Sequence, residues 1–134
     1  MDARIPDPPI RILFVCLANL CRSPLAKVIA ELSLGDGVAA ESAGVAPSPA
    51  RIPDEGIEMI RRLTGADASG HRPRFVLEYP LDEFDYIIGM DSSVFMRLSA
   101  MPQVPKDKLY GWEISDPCGL GMDAYENTAR QIAQ

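Results

Sequence analysis

An apolar run, Ile12-Leu13-Phe14-Val15, stands one short loop ahead of the segment Pro24-Leu25-Ala26-Lys27-Val28-Ile29-Ala30-Glu31-Leu32, and this succession constrains the fold more than any other feature. The run reads as a buried parallel strand and the segment as a helix, with Ser23 at its N-cap and Pro24 at its first position. Cys16 then opens a loop, Leu17-Ala18-Asn19-Leu20-Cys21, that closes at a helix N-terminus. Such a loop can turn successive backbone N–H groups inward, and with the positive end of the helix dipole they make a site for a tetrahedral oxyanion. Arg22 adds a planar, permanently charged fork able to hold two phosphate oxygens. The same positive field favours the thiolate of Cys16 near neutral pH. A nucleophile is thereby expected beneath a bound phosphoryl group.

The order strand, Cys-(x)5-Arg-Ser-Pro, helix, with Asn19 in the loop and a second cysteine at Cys21, resembles the phosphate-binding loop of the low-molecular-weight protein-tyrosine phosphatase family, bacterial type. The resemblance implies that Leu17, Ala18, Asn19, Leu20 and Cys21 surround the phosphate, and that Asn19, Ser23, Ser42 and His71 form a hydrogen-bonded network holding the loop in shape. Ser23 is also expected to donate a hydrogen bond to the Cys16 sulfur. His71 is the only histidine, and read from the residues alone it is a structural, hydrogen-bonded side chain, because no partners stand at metal-ligand spacing around it. Ala18 stands where the family usually has glycine; a positive φ there would cost about 1–2 kcal/mol.

Length and composition bound what surrounds the loop. The 134 residues suit a single domain, expected over 11–134 behind an N-terminal tail, 1–10, that carries Pro6, Pro8 and Pro9. With 47% hydrophobic and 24% charged residues the chain has an ordinary globular composition, and no internal repeat is visible. A net charge of −6 argues against a nucleic-acid partner, whose phosphate backbone selects basic surfaces. No signal peptide or apolar run of membrane-spanning length is present, and three cysteines, one needed as a free thiol, fit a reducing cytoplasm. We expect a cytoplasmic monomer with no membrane partner.

Beyond the first helix, which ends near Gly35-Asp36-Gly37, Val38 to Ser42 reads as a second strand followed by a turn at Ala43-Gly44. Asp54 to Leu63 is an amphipathic helix with Ile57, Ile60 and Leu63 on one side. Asp85 to Met90 reads as a third strand, Asp91 as the cap of a helix Ser92 to Ser99, Lys108 to Trp112 as a fourth strand, and Asp123 to Gln134 as a last helix. Strands interleaved with helices give an α/β fold: an open four-stranded parallel sheet with helices on both faces. Ligands bind such sheets beyond the carboxyl ends of the strands, where the Cys16 loop lies.

The Asp116-Pro117 loop after the fourth strand resembles the family's general-acid loop. Asp116 is therefore the expected proton donor to the leaving group, an effect worth about 10²–10⁴-fold. The whole constellation implies hydrolysis of phosphomonoesters, protein phosphotyrosine foremost, through a phosphocysteine intermediate formed by Cys16 with Arg22 and Asp116, and without metal or other cofactor. The expected partner is a phosphorylated protein or a small phosphomonoester. Leu20 stands where protein-arginine phosphatases of this fold carry Thr, which favours phosphotyrosine. Two alternatives remain: an arsenate reductase of the same fold, although Asp82 to Pro105 lacks the two relay cysteines, and a catalytically weak phosphate- or phosphoprotein-binding module. Cys21 is a redox candidate, a resolving thiol for oxidised Cys16 whose proximity the resemblance implies, with Cys118 as a competitor.

Overall fold

The computed structural model describes residues 9–47, 50–114, 116–117 and 121–133. Four strands alternate with four helices: β1 (Ile10–Cys16), α1 (Arg22–Leu34), β2 (Val38–Gly44), α2 (Asp54–Thr64), β3 (Tyr86–Gly89), α3 (Ser92–Ser99), β4 (Leu109–Gly111) and α4 (Met122–Ala133). All pairings are parallel, in the order β2-β1-β3-β4. The chain therefore leaves β1 in one direction to build β2, and returns on its other side to build β3. Loops that diverge in this way open a crevice at the carboxyl ends of the central strands.

Alternation along β1 explains why both faces are covered. Ile12, Phe14 and Cys16 belong to one apolar cluster with Leu25, Ala26 and Ile29 of α1, Met59 and Ile60 of α2, and Ile132 of α4. Leu13 and Val15 belong to another, with Val94 and Leu98 of α3. Successive side chains of a strand point to opposite faces, so a run that is apolar throughout must be sandwiched. Val94, in the first turn of α3, is buried in the second cluster.

Several boundaries differ from expectation, each for a physical reason. The helix α1 begins at Arg22 with Cys21 at the N-cap and no side-chain cap, so Ser23 lies inside the first turn. Its hydroxyl is engaged elsewhere, as described below, and Pro24 costs little because first-turn N–H groups lack intrahelical acceptors anyway. Ala43-Gly44 is not a turn but the end of β2, since Ala43 pairs with Val15 and Gly44 with Cys16. On α2 the fully buried positions are Gly56, Met59 and Ile60, whereas Leu63 is exposed. Gly65 then ends that helix in the left-handed conformation. Asp91 caps α3 as expected, its Oδ1 accepting from the Val94 N–H at 2.8 Å. Of the expected tail, 1–10, residues 1–8 lie outside the described residues and Ile10 already belongs to β1; among the described residues no helix is long and apolar enough to cross a membrane.

Candidate active site

Register alone brings the site together. Cys16, at the end of β1, is level with Gly44 of β2, while Val15 is level with Gly89 of β3 and Gly89 with Gly111 of β4. The segments that follow these strands therefore emerge at one edge of the sheet. Gly44 is needed there. A Cβ on it would stand 2.8 Å from the Leu17 carbonyl oxygen and 2.9 Å from the Asn19 nitrogen, closer than packed atoms come. The segment after β2 is tied to the same loop, Val45 N–H donating to the Cys16 carbonyl at 3.1 Å and Ala46 N–H to that of Leu17 at 2.8 Å.

The Cys16 thiol is buried and free. Its Sγ accepts from the Asn19 N–H at 3.2 Å and lies 3.0 Å from the Ser23 Oγ. Ser23 in turn accepts from Asn19 Nδ2 at 2.9 Å and is within donating distance, 3.2 Å, of the Ala43 carbonyl. A hydroxyl has one proton. When Cys16 is a thiolate, Ser23 can give it that proton's hydrogen bond; when Cys16 is a thiol, the S–H can face Ser23 while Ser23 turns to Ala43.

Asn19 is the keystone of the loop. It is fully buried, and among the described residues it is the one non-glycine with positive φ, at 59°. Asparagine tolerates this conformation better than most residues, and three contacts offset its cost. Its Oδ1 accepts from the Arg74 N–H at 2.9 Å, its Nδ2 reaches Ser23, and its carbonyl meets His71 Nε2 at 2.8 Å. The strain anticipated at Ala18 is thus absent, because the left-handed residue is its neighbour. Burial lowers the His71 pKa below its ordinary value, against the raising effect of the Asn19 contact and aided by Lys27. His71 is therefore a neutral donor to Asn19 at neutral pH. The contact from β2 to Ser23 is the Ala43 carbonyl, and Ser42 stands one residue earlier, buried and lining a cleft with His71 and Lys27.

Arg22 is 5% exposed, and its Nη1 donates to Asp91 Oδ2 at 2.6 Å and to the Ile114 carbonyl at 3.2 Å. Neither partner was identified from sequence, since both lie far along the chain. The only signal was positional: Asp91 follows a strand ending beside Cys16, and Ile114 stands two residues before Asp116. Asp116 is exposed and lines a cavity of about 50 Å³ with Cys16, Leu17, Ala18, Leu20, Cys21 and Arg22. A larger apolar cavity, about 260 Å³, is bounded by Phe14, Ile29, Ile88 and Trp112 and contains none of these groups. Cys21 is disulfide-bonded while Cys16 is free, so in this structure the two do not pair with each other. Cys118 lies outside the described residues.

A thiol seated under a curled loop at a helix N-terminus, with a guanidinium and a carboxylic acid on the same small cavity, defines a site for cysteine-dependent chemistry on a phosphoryl group. Residues 11–134 match the family described as low molecular weight phosphotyrosine protein phosphatase, and the chain belongs to that family. It is 41% identical over 98 residues to the low molecular weight protein-tyrosine-phosphatase YfkJ of Bacillus subtilis (strain 168), a match covering 69% of this chain and 63% of that protein. A protein-arginine-phosphatase of Geobacillus stearothermophilus is 30% identical over 127 residues, covering 87% of this chain and 84% of the relative. The crystal structure of a low molecular weight protein tyrosine phosphatase from T. tengcongensis superposes with a TM-score of 0.81 at 31% identity, covering 92% of each chain.

Proposed function

We propose that this chain hydrolyses phosphomonoesters, protein phosphotyrosine foremost, through a phosphocysteine intermediate. The observation that carries the proposal is that Cys16, Arg22 and Asp116 line one cavity. The Cys16 thiolate attacks phosphorus, an S–P bond forms and the ester P–O bond breaks. Asp116 supplies the proton that leaves with the ester oxygen. The resulting Asp116 carboxylate then takes a proton from the water that attacks the phosphocysteine, which releases inorganic phosphate and regenerates the thiolate. Ser23 stabilises the departing sulfur by its hydrogen bond, and Arg22 with the loop N–H groups balances charge on the phosphoryl oxygens, so the chemistry needs no metal. Leu20 gives the cavity an apolar wall, which suits an aryl ester better than the polar guanidinium of phosphoarginine.

Hydrolysis of p-nitrophenyl phosphate across pH, with Cys16→Ser alongside, tests this reading. The expected result is turnover by the wild-type chain and none by the variant, which still binds inorganic phosphate because Arg22 and the loop donors remain. Turnover that persists in Cys16→Ser removes the nucleophile assignment.

A further inference from the structure

The segment that carries Asp116 leaves the sheet from its edge. β4 is the last strand in the order β2-β1-β3-β4, so the chain beyond it has a strand neighbour on one side only. Past the last paired residues, Gly89 and Gly111, the ladder runs on for two rungs: Trp112 N–H donates to the Gly89 carbonyl and Ile114 N–H to that of Met90, at 2.8 Å each. Glu113 lies between these rungs, and its side chain reaches α3, where Oε1 accepts the Ser92 N–H at 2.9 Å. That N–H is the first of α3, and like the others of a first helical turn it has no acceptor within the helix. Asp91, the N-cap, takes the Val94 N–H, which leaves Ser92 to a carboxylate from another segment. The positive end of the helix favours that carboxylate as well.

We propose that Glu113 is a positioning residue for proton transfer: its carboxylate ties the segment leading to Asp116 to the N-terminus of α3, and so sets where Asp116 stands on the cavity it shares with Cys16. Asp116 is exposed and follows shortly after Glu113, so its place depends on the segment behind it. A proton passes to the leaving oxygen only over hydrogen-bond distance, about 2.6–3.2 Å, and a displacement of about 1 Å is costly on that scale. Ile114 also gives its carbonyl to Arg22, at 3.2 Å, so a shift of the segment can act on the acid or on the guanidinium. The two are separable. The acid matters more the poorer the leaving group, whereas the guanidinium holds phosphate whatever the leaving group.

The inference rests on the phosphatase reading, and the test compares phenyl phosphate with p-nitrophenyl phosphate in the full chain, together with binding of inorganic phosphate. In Glu113→Ala the expected result is a fall in kcat of about 3–10-fold on phenyl phosphate, with less than about 2-fold change on p-nitrophenyl phosphate and in phosphate binding. Glu113→Gln, whose amide oxygen still accepts from Ser92, should stay near wild type. Ser92→Pro removes the donor instead, at a helix position that proline suits and after a residue, Asp91, already extended at φ −152° and ψ 173°. It should reproduce Glu113→Ala, and combining the two should add no further loss. Nor should Glu113→Ala cost more once Asp116 is alanine. An unchanged kcat on phenyl phosphate, equal losses on both substrates, or the same loss without Asp116 would overturn the proposal. Should Glu113→Ala not fold, Ser92→Pro decides by the same outcomes. A wild-type chain without turnover defeats the phosphatase reading alone, and amide exchange then decides whether Glu113 holds the segment. The Trp112 and Ile114 N–H groups should exchange faster in Glu113→Ala and Ser92→Pro but not in Glu113→Gln, and unchanged exchange would contradict the tie.

Discussion

The loop after β1 and the segment after β4 meet at one cavity but differ in burial. In the first, Asn19 and Ser23 are fully buried and Arg22 nearly so, and the side chains of all three are tied to groups from β2, the N-cap of α3 or the segment around His71. In the second, backbone bonds hold the residues that lead to Asp116. Trp112 and Ile114 donate backbone N–H groups to the carbonyls of Gly89 and Met90 at 2.8 Å each, and Asp116 beyond them is exposed and lines the cavity. In the proposed mechanism the nucleophile Cys16 and its charge partner Arg22 are the buried, many-bonded parts, since phosphoryl transfer rewards fixed donors aimed at developing charge. In that mechanism Asp116, exposed on the same cavity, exchanges protons with a leaving group and with water.

The sharpest way to break this comparison is Asp116→Ala. On phosphotyrosine or phenyl phosphate the expected loss in kcat is about 10²–10⁴-fold, and on p-nitrophenyl phosphate distinctly less, because a stable leaving group gains little from protonation. Phosphate binding and thermal stability should barely move. Equal losses across a leaving-group series would place the acid elsewhere.

A smaller effect is expected on the buried side. Gly44→Ala pushes a Cβ to 2.8 Å from the Leu17 carbonyl oxygen, so it should cost about 1–3 kcal/mol in urea unfolding, as overpacking does, and lower activity with it. Gly70→Ala, where nothing stands within 4 Å of the added atom, is the matched control and should be nearly neutral. Similar stability for the two variants would mean that the loop is not packed on β2 as described.

The smallest effect is a pH slope. Because burial lowers the pKa of His71, the unfolded chain binds its proton first as the pH falls. The stabilisation is therefore fully present above the unfolded value, about 6.5, and is lost as pH falls from there through the lowered folded value. Replacing His71 by Gln keeps an N–H near the Asn19 carbonyl but cannot titrate. Urea unfolding between pH 7.5 and 5.5 should show a decline in wild type that is shallower in His71→Gln; parallel curves would contradict a neutral, half-buried donor.

The same contrast explains what was legible beforehand. Cys16, Arg22, Ser23 and the helix behind them are consecutive, so strand, loop and helix periodicity brought them together on the page as they are in space. Asp91 and the Ile114 carbonyl stand 69 and 92 residues from Arg22. Their convergence depends on strand order, which local pattern does not encode, and Asp91 read only as the helix cap that it also is. Ser23 misled in the other direction. Its propensity to cap a helix was overruled by contacts with Cys16, Asn19 and Ala43, which moved the helix start back to Arg22. Gly44 looked like a turn because its real constraint, the loop packed on it, comes from another strand.

The account stands or falls on a phosphoryl group attached to sulfur. Rapid acid quench of the wild-type chain during turnover of p-nitrophenyl phosphate, followed by peptide mass spectrometry, should find the added mass of one phosphoryl group on the peptide containing Cys16, and Asp116→Ala should change how much accumulates without moving it. Full turnover with no adduct at Cys16, or an adduct on any other residue, would contradict it.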